Sequence, residues 1–234
     1  MRRPDPQRIL ELIDTHQIDT LVTVPVILRR LVELPRHIRR RYDLTSLRCV
    51  AVSGSALPGE LATEFMNAFG DILYNLYGST EAAFATCAAP DDLRADPGTA
   101  GKPLAGVHIE VLDLRGRRVA NGVDGRIFVG SRTTFDGYTD GTDRERTRGL
   151  VFTGDIGRLD EEGRLTIIGR ADDMVVTGGE NVHPTEVEEV LRQNTDVADV
   201  AVVGVPDPVY GSSLVAHVVP VAGITPHADI LLAW

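Results

Sequence analysis

The sequence predicts an α/β fold, in which part of a layered large domain carries a small barrel-like β subdomain and is followed by the start of a small α+β domain. Three observations carry this prediction. Strands and helices alternate as far as residue 76, short β runs replace the helices after residue 88, and a helix with two strands follows residue 172. We therefore expect a large domain over 1–171, divided into 1–104 (α/β) and 105–171 (small β subdomain), and a hinge with a C-terminal domain over 172–234.

The first third of the chain has the clearest alternation. Apolar residues such as Leu10 and Ile13 recur at helical spacing, and Pro25 suits the first turn of a helix. The pattern predicts helices at 6–16, 25–34 and 58–69, and strands at 19–24, 47–52 and 71–76. Alternation of this kind indicates a parallel sheet, whose ligands bind beyond the carboxyl ends of its strands. Ser55 and Tyr77 both follow predicted strands.

The remaining elements are shorter and richer in turns. Strands are predicted at 108–112, 126–129, 150–152 and 164–168, with a hairpin turn at 160–163, and a helix at 184–194 precedes strands at 200–205 and 214–220. One helix and two strands are too few to hold a core by themselves, so we expect the last unit to be an incomplete domain.

Composition limits the functional classes. The chain has 234 residues, is 43% hydrophobic and 25% charged, and carries a net charge of −10, which argues against nucleic acid or an anionic membrane surface as its partner. Cys49 and Cys87 do not suggest a disulfide framework. The first six residues lack the apolar run of a signal peptide, and no apolar segment approaches the length of a membrane span. A cytoplasmic protein is expected. Nothing in the sequence indicates an oligomeric state.

An unusual combination of residues occupies positions 169–188. Arg170 follows a glycine, two carboxylates follow at Asp172 and Asp173, and the pair Gly178–Gly179 precedes a helix that begins at Pro184. An ordinary interior does not need this combination, whereas a ligand-contacting junction between two units does. The alternative for the glycine pair is a plain turn before the helix.

Together with two upstream segments, this stretch resembles the adenylate-forming superfamily, which includes acyl- and aryl-CoA ligases, luciferases and peptide-synthetase adenylation domains. The matching segments, in the family's order and approximate spacing, are Tyr77–Glu81, Phe152–Asp155 and Gly169–Glu188. The sequence from Gly178 to Glu188 is most similar to the CoA-ligase branch. The resemblance covers nearly the whole chain, which corresponds to the middle-to-late part of the family; the family's phosphate loop with its lysine and its late C-terminal lysine have no counterpart.

The resemblance implies a nucleotide site at the ends of the predicted strands. Ser55 and Ala56 would line the adenine, and the candidate binding residues continue with Tyr77, Gly78, Ser79 and Thr80. An aromatic ring at Tyr77 suits the adenine face, and Gly78 permits close backbone approach. The alternative for this segment is a strand-end turn in which Thr80 caps a helix.

Thr80 and Glu81 are the catalytic candidates that the resemblance implies. The Thr80 hydroxyl would bind a phosphate oxygen, and the Glu81 carboxylate is a hard oxygen ligand suited to Mg²⁺. Other motifs fail. The segment 98–102 is not a P-loop, because Asp96 and Pro103 stand where glycine and Ser or Thr are required, and the histidines have no metal-ligand spacing.

By the same resemblance, the segments Phe152–Asp155 and Gly169–Glu188 would supply the ribose contacts and the hinge about which the C-terminal domain rotates. An ionised carboxylate at Asp155 can accept hydrogen bonds from both ribose hydroxyls, and Arg170 can reach ribose and phosphate oxygens. Asp172 matches the family's hinge, and Gly178 and Gly179 match the passage for CoA. The alternatives are a hairpin residue for Asp155 and a surface ion pair for Arg170.

The predicted function is an ATP-dependent acid–CoA ligase that uses ATP, Mg²⁺ and CoA. Its acid is expected to be a medium- or long-chain fatty acid, with aryl acids next. Lys102 is the chain's only lysine and belongs to neither lysine motif of the family. Loss of a charge aimed at the transition state typically costs at least about 10²-fold in rate, so we expect weak or no activity from this chain alone. The alternatives are a non-catalytic remnant with at most nucleotide binding and an amino-acid adenylation module.

Overall fold

The computed structural model describes residues 4–177, 180–207 and 210–232. The chain divides into two compact units. The first unit consists of Met1–Thr153 and Arg158–Ile167, and the second of Gly154–Gly157 and Ile168–Trp234.

In its described part, residues 4–153 and 158–167, the first unit contains the helices α1 (Pro6–His16), α2 (Pro25–Glu33), α3 (Arg36–Arg39), α4 (Gly59–Phe69) and α5 (Pro90–Ala95). Helix α1 begins where Asp5 accepts a hydrogen bond from the backbone N–H of Gln7 at 3.0 Å. It ends at Gln17, which adopts a left-handed conformation with φ of 50°. The ends of α1 agree with the predicted helix 6–16, because both signals are local.

A five-stranded sheet lies beside these helices. Its strands, in spatial order, are β1 (Thr20–Thr23), β2 (Cys49–Val52), β3 (Leu73–Ser79), β4 (Ala83–Ala88) and β5 (Lys102–Pro103). Strands β1, β2 and β3 are parallel, as predicted, but β4 and β5 pair antiparallel. The sheet is therefore mixed. A tight turn between β3 and β4, with no crossover helix, forces the chain to reverse direction.

The main core fills the space between the helices and the parallel strands. Leu10 and Ile13 of α1, Leu28 of α2 and Phe65 of α4 join one buried cluster with Val50 of β2. The Phe65 ring also stacks on Phe69, with a centroid distance of 4.7 Å. The apolar faces that the helical spacing predicts are thus the faces that the sheet covers.

The small β subdomain consists of β6 (His108–Leu112), β7 (Gly125–Gly130), β8 (Arg146–Thr147), β9 (Leu150–Leu159) and β10 (Leu165–Arg170). The sheet order is β10–β9–β7–β6, and β8 pairs with β9. The predicted turn at 160–163 joins β9 to β10, with Gly163 in the left-handed region at φ of 76°. The expected α/β fold with a small β subdomain is confirmed.

The second unit contains β11 (Val175–Thr177), β12 (Glu180–Val182), α6 (Pro184–Arg192), β13 (Val197–Asp207), β14 (Gly211–Pro220) and α7 (Ala228–Leu232). Strands β13 and β14 form an antiparallel hairpin that is longer than the predicted strands. Its small core consists of Leu191, Val197, Val200 and Val202. An apolar groove of about 650 Å³ runs along this hairpin, α6 and α7. Within the described part of the chain, no helix is both long and apolar enough to span a bilayer.

Candidate nucleotide site

The predicted adenine-binding residues lie at one edge of the five-stranded sheet. Strand β2 ends at Val52, which pairs in parallel with Asn75 of β3. The chain leaves β2 through Ser55 and Ala56, both exposed, while β3 carries Tyr77 close to its own carboxyl end. Because adjacent parallel strands end on the same side, these residues share the edge at which ligands of such sheets bind.

The segment Tyr77–Glu81 forms the turn of a β hairpin. Tyr77, Gly78 and Ser79 end β3, and Thr80 and Glu81 lie in the turn that leads to β4. The Ser79 hydroxyl oxygen accepts a hydrogen bond from the backbone N–H of Ala82 at 3.1 Å, which closes the turn. The exposed Thr80 does not cap a helix, so that alternative is wrong, although the strand-end turn itself is present.

The close approach of strand β4 requires a glycine at position 78. A Cβ atom at this position would lie 2.0 Å from the carbonyl oxygen of Ala83, far inside van der Waals contact. The register of β3 and β4 shifts between Tyr77 and Gly78, and Ala83 has a left-handed φ of 56°. We expected glycine here to admit a ligand; its observed neighbour is the backbone of β4 across a bulge.

Two residues that follow Glu81 have different environments. Ala82 is fully buried in the core of the β subdomain, so its small size serves packing. Phe84 lies two residues further along and is 54% exposed. Of these two side chains, Phe84 is therefore the one open to a substrate.

Glu81 is held by two residues that the sequence did not point to. The Tyr138 hydroxyl donates a hydrogen bond to Glu81 Oε1 at 2.5 Å, and the Arg144 guanidinium approaches the same oxygen at 3.3 Å. The Tyr138 hydrogen bond is the main cause that lowers the pKa of Glu81 to about 2, so the carboxylate is ionised at neutral pH. These partners lie 57 and 63 residues away along the chain, and no local pattern marks them.

In the second unit, the candidate residues Asp155 and Arg170 form an ion pair with each other. Asp155 lies within β9 with 8% exposure, and Arg170 Nη1 at the end of β10 donates to Asp155 Oδ1 at 3.1 Å. Gly154 has a φ of 86°, and a Cβ atom there would lie 2.9 Å from Arg170 Nη2. The guanidinium therefore lies against the glycine, and a side chain at position 154 would displace it.

The predicted hinge residue contacts the same guanidinium. Asp172 Oδ2 lies 3.6 Å from Arg170 Nη2, and the Asp172 side chain is 75% exposed. Gly178 and Gly179, the predicted CoA passage, lie outside the described residues. The structure thus assembles the remaining predicted residues as two groups: those from Ser55 to Glu81 in the first unit, and Asp155, Arg170 and Asp172 in the second.

The residues of the first group fit Mg²⁺ only in combination with a ligand. Among residues 4–177, 180–207 and 210–232, no cluster of three or more His, Cys, Asp or Glu side chains could hold a metal ion. Mg²⁺ is commonly held by one or two carboxylates together with substrate phosphates. A single half-buried, ionised carboxylate at Glu81 matches that donor set.

Comparison with known families decides the assignment. Residues 1–139 match the model of the AMP-binding enzyme, and residues 186–234 match that of the AMP-binding enzyme C-terminal domain. The chain belongs to the AMP-binding enzyme family. The resemblance to the adenylate-forming superfamily is thereby confirmed.

Individual relatives support the family assignment. The chain is 35% identical over 220 residues to the medium/long-chain-fatty-acid–CoA ligase FadD8 of Mycobacterium tuberculosis, covering 92% of this chain and 38% of that protein. It is 32% identical over 232 residues to the indoleacetate–CoA ligase of Aromatoleum aromaticum, covering 97% and 45%. The chain spans less than half the length of the curated relatives it matches.

A solved structure supports the fold. The amide bond synthetase McbA from Marinactinospora thermotolerans superposes with a TM-score of 0.91 at 33% identity, and the match covers 100% of this chain and 48% of that one. Both groups of candidate residues therefore belong to an architecture that occurs in solved members of the fold.

Proposed function

We propose that this chain carries the adenosine-binding part of an ATP-dependent acid–CoA ligase. In the complete reaction, a carboxylate oxygen attacks the α-phosphorus of ATP, pyrophosphate leaves and an acyl-adenylate forms. The CoA thiolate sulfur then attacks the acyl carbon, the bond to AMP breaks, and acyl-CoA and AMP are released. The observation that carries the proposal is the shared sheet edge of Ser55, Ala56 and the Tyr77 hairpin, in a chain of this family.

The first-unit residues have separable roles in this proposal. Ser55, Ala56 and the Tyr77 ring would contact the adenine, and Gly78 and Ser79 would fix the hairpin that presents the exposed Thr80 hydroxyl to a phosphate oxygen. Glu81 would hold Mg²⁺, which neutralises phosphate charge when bound. Tyr77 is half-buried and packs against the β-subdomain core, so its ring orientation is set before any ligand arrives.

The second-unit residues would bind the ribose and carry the conformational change. Asp155 would accept hydrogen bonds from the ribose hydroxyls, with Arg170 holding the carboxylate and reaching a phosphate. Asp172 would be the hinge between the adenylating and thioester-forming arrangements, and Gly178 and Gly179 would line the CoA passage. The domain boundaries 1–171 and 172–234 stay part of this proposal.

For the acid, we propose a medium- or long-chain fatty acid, with an aryl acid as the second choice. The support is the 54% exposed Phe84 ring, which offers an apolar contact surface just after the Glu81 turn. Names among the relatives include both classes, since FadD8 is a fatty-acid ligase and the Aromatoleum protein acts on indoleacetate.

A second candidate concerns the acyl acceptor. The second unit carries eleven Asp and Glu residues against two Arg, a balance that favours a cationic amine over the polyanionic CoA. McbA, which matches at a TM-score of 0.91, is an amide bond synthetase. Product analysis by mass spectrometry, with CoA and simple amines offered in parallel to a fatty acid and ATP, distinguishes a thioester from an amide.

We also propose that the isolated chain turns over slowly or not at all. Its only lysine, Lys102, lies on β5 and pairs with Cys87 of β4, outside all three family segments. An ordinary ligase rate from purified protein would contradict this. Nucleotide binding without turnover would agree with it, and the absence of binding would leave the non-catalytic remnant.

Calorimetric titration with AMP and with an acyl-sulfamoyl adenosine mimic tests the nucleotide site directly. We expect the mimic to bind, and Asp155→Ala to weaken binding by at least about tenfold, because a charge-assisted hydrogen bond is lost. Asp124→Ala is the matched control, since Asp124 also pairs with an arginine, Arg158, at 3.1 Å but is not among the candidate residues. If Asp155→Ala and Asp124→Ala bind the mimic with equal affinity, Asp155 does not contact the nucleotide.

A further inference from the structure

A loop of the first unit, residues 131–149, contacts the turn that carries Glu81. The backbone N–H of Phe135 donates to the carbonyl oxygen of Glu81 at 2.9 Å, which fixes the position of the loop against the turn. This backbone contact leaves the Glu81 carboxylate available to side chains from the same loop.

Two of these side chains converge on a single carboxylate oxygen. Tyr138 Oη donates to Glu81 Oε1 at 2.5 Å, while Arg144 Nη2 donates to it at 3.3 Å and Nε at 3.4 Å. Arg144 Nε also donates to Tyr138 Oη at 2.9 Å, so the phenol and the guanidinium hold each other in place. The side chain of Glu81 is only 13% exposed, and that of Arg144 is 33% exposed.

The loop has its own support, which does not involve Glu81. Arg146 bonds to both carboxylate oxygens of Asp143, the shorter contact being 2.7 Å, and donates to the carbonyl oxygen of Phe135 at 2.9 Å. The Phe135 and Tyr138 rings meet edge to face at 5.0 Å. Arg146 therefore organises the loop, whereas Arg144 is directed at the carboxylate.

A divalent cation on Glu81 would face both a competitor and a repelling charge. The oxygen Oε1 already accepts donors from Tyr138 and Arg144, and a guanidinium 3.3 Å away repels a second cation. Resting on the function proposed above, we propose that Arg144, positioned by Tyr138, serves as an internal counter-cation for Glu81 and must leave that oxygen when Mg²⁺ binds. Arg144 is thus a positioning residue that sets the metal affinity of the site.

The test is a titration with Mn²⁺ of the full chain saturated with AMP, whose phosphate supplies further oxygen ligands, followed by paramagnetic broadening of the amide NMR signals of residues 79–82. We expect Arg144→Gln to bind Mn²⁺ about three- to tenfold more tightly than the parent protein, because a competing ion pair is removed. Arg144→Lys keeps the charge and should stay close to the parent. Arg146→Gln, the matched control in the same loop, should not tighten binding, and Glu81→Gln should abolish the local broadening.

If Arg144 only supports the loop, Arg144→Gln would disorder the loop. The affinity for Mn²⁺ would then fall or stay unchanged, and it would not rise. That result, with broadening still present in the parent protein, would overturn the counter-cation proposal and leave Glu81 as a metal ligand. Absence of broadening near Glu81 in every variant would overturn the counter-cation proposal together with the metal part of the proposed function.

A measurement on the parent protein covers the case in which Arg144→Gln does not fold. During a titration of the AMP-saturated protein with diamagnetic Mg²⁺, the Nε–Hε signal of Arg144 should shift with the same midpoint as the amides of residues 79–82. A guanidinium signal that stays fixed while those amides shift would show that the ion pair persists and that the proposal is wrong.

Discussion

In the first compact unit, helices α1, α2 and α4 bury their apolar faces in one cluster with strands β2 and β3. The buried core described for the second unit lies between the helix α6 and the hairpin of β13 and β14. Val50 and Phe65 of the first core are at most 1% exposed, while Leu191 and Val197 of the second are 7% and 8% exposed. The second unit also leaves the groove beside α6 and α7 open. Buried apolar area is the main source of stability, so the two units should differ in resistance to unfolding.

Charge separates the two units as clearly as packing does. The second unit holds eleven acidic and two basic residues, whereas the rest of the chain holds 23 acidic and 22 basic residues. Almost the whole net charge of −10 therefore belongs to the smaller unit. Self-repulsion adds to the weakness of a small core.

The largest effect should come from the first core. Phe65→Ala removes a ring that is 1% exposed and stacked on Phe69, and we expect it to lower the free energy of unfolding by about 3–5 kcal/mol. Urea unfolding followed by far-UV circular dichroism measures this. The transition assigned to the second unit should not move. If both transitions shift together, the units do not unfold separately and the comparison fails.

A smaller effect is expected in the second core. Leu191→Ala should lower its free energy of unfolding by about 2–3 kcal/mol, because the side chain is already slightly exposed and lies beside an open groove. Val190, the neighbouring residue, is 46% exposed and supplies the control, since Val190→Ala should cost less than about 0.5 kcal/mol. Amide hydrogen exchange on α6 and β13 measures both. A larger loss at Val190 than at Leu191 would contradict the observed packing.

The smallest expected effect is the pH-dependent stabilisation of the first unit by the hydrogen bond between Tyr138 and Glu81. In the folded protein the pKa of Glu81 is lowered from its ordinary value of 4.5 to about 2, mainly because Tyr138 donates a hydrogen bond to it. The stabilisation is therefore complete above about pH 4.5 and is lost as the pH falls toward 2. Tyr138→Phe should cost about 1–2 kcal/mol at pH 7 and progressively less below pH 4.5.

Urea unfolding from pH 2 to pH 7 checks this prediction, with the parent protein and Tyr138→Phe compared at each pH. In a Glu81→Gln background, the same substitution should show no pH dependence over that range. A cost of Tyr138→Phe that stays constant between pH 2 and pH 5 would show that the phenol does not stabilise the ionised carboxylate.

Local signals identify several elements of both units from sequence. Helix α1 agrees with its predicted ends because Asp5 caps it and Pro6 suits its first turn. Helix α6 begins at the predicted Pro184, which likewise suits a first turn. The strand β6 also has its predicted bounds, His108–Leu112. Short elements such as α3 and β8 were not predicted, because two to four residues do not establish a periodic pattern.

Tertiary contacts decide the features that the pattern could not. Strand β4 was not predicted, and its antiparallel pairing follows from a turn only three residues long between β3 and β4. Phe84 is open while Ala82 is buried, although only one residue separates them. Side-chain alternation depends on the register of the strands, and a bulge at Gly78 changes that register here.

The amino-acid sequence by itself determined the family segments, the helix ends and the candidate residues Tyr77, Glu81, Asp155 and Arg170, because each depends on chemistry within a few neighbouring positions. Only the folded chain decided what those residues touch. Arg144 and Asp155 contact partners 63 and 15 residues away, and such contacts arise when loops close under the packing of the whole unit. Their consequence, an ionised Glu81 carboxylate that already holds a cationic side chain, is a property of the tertiary structure.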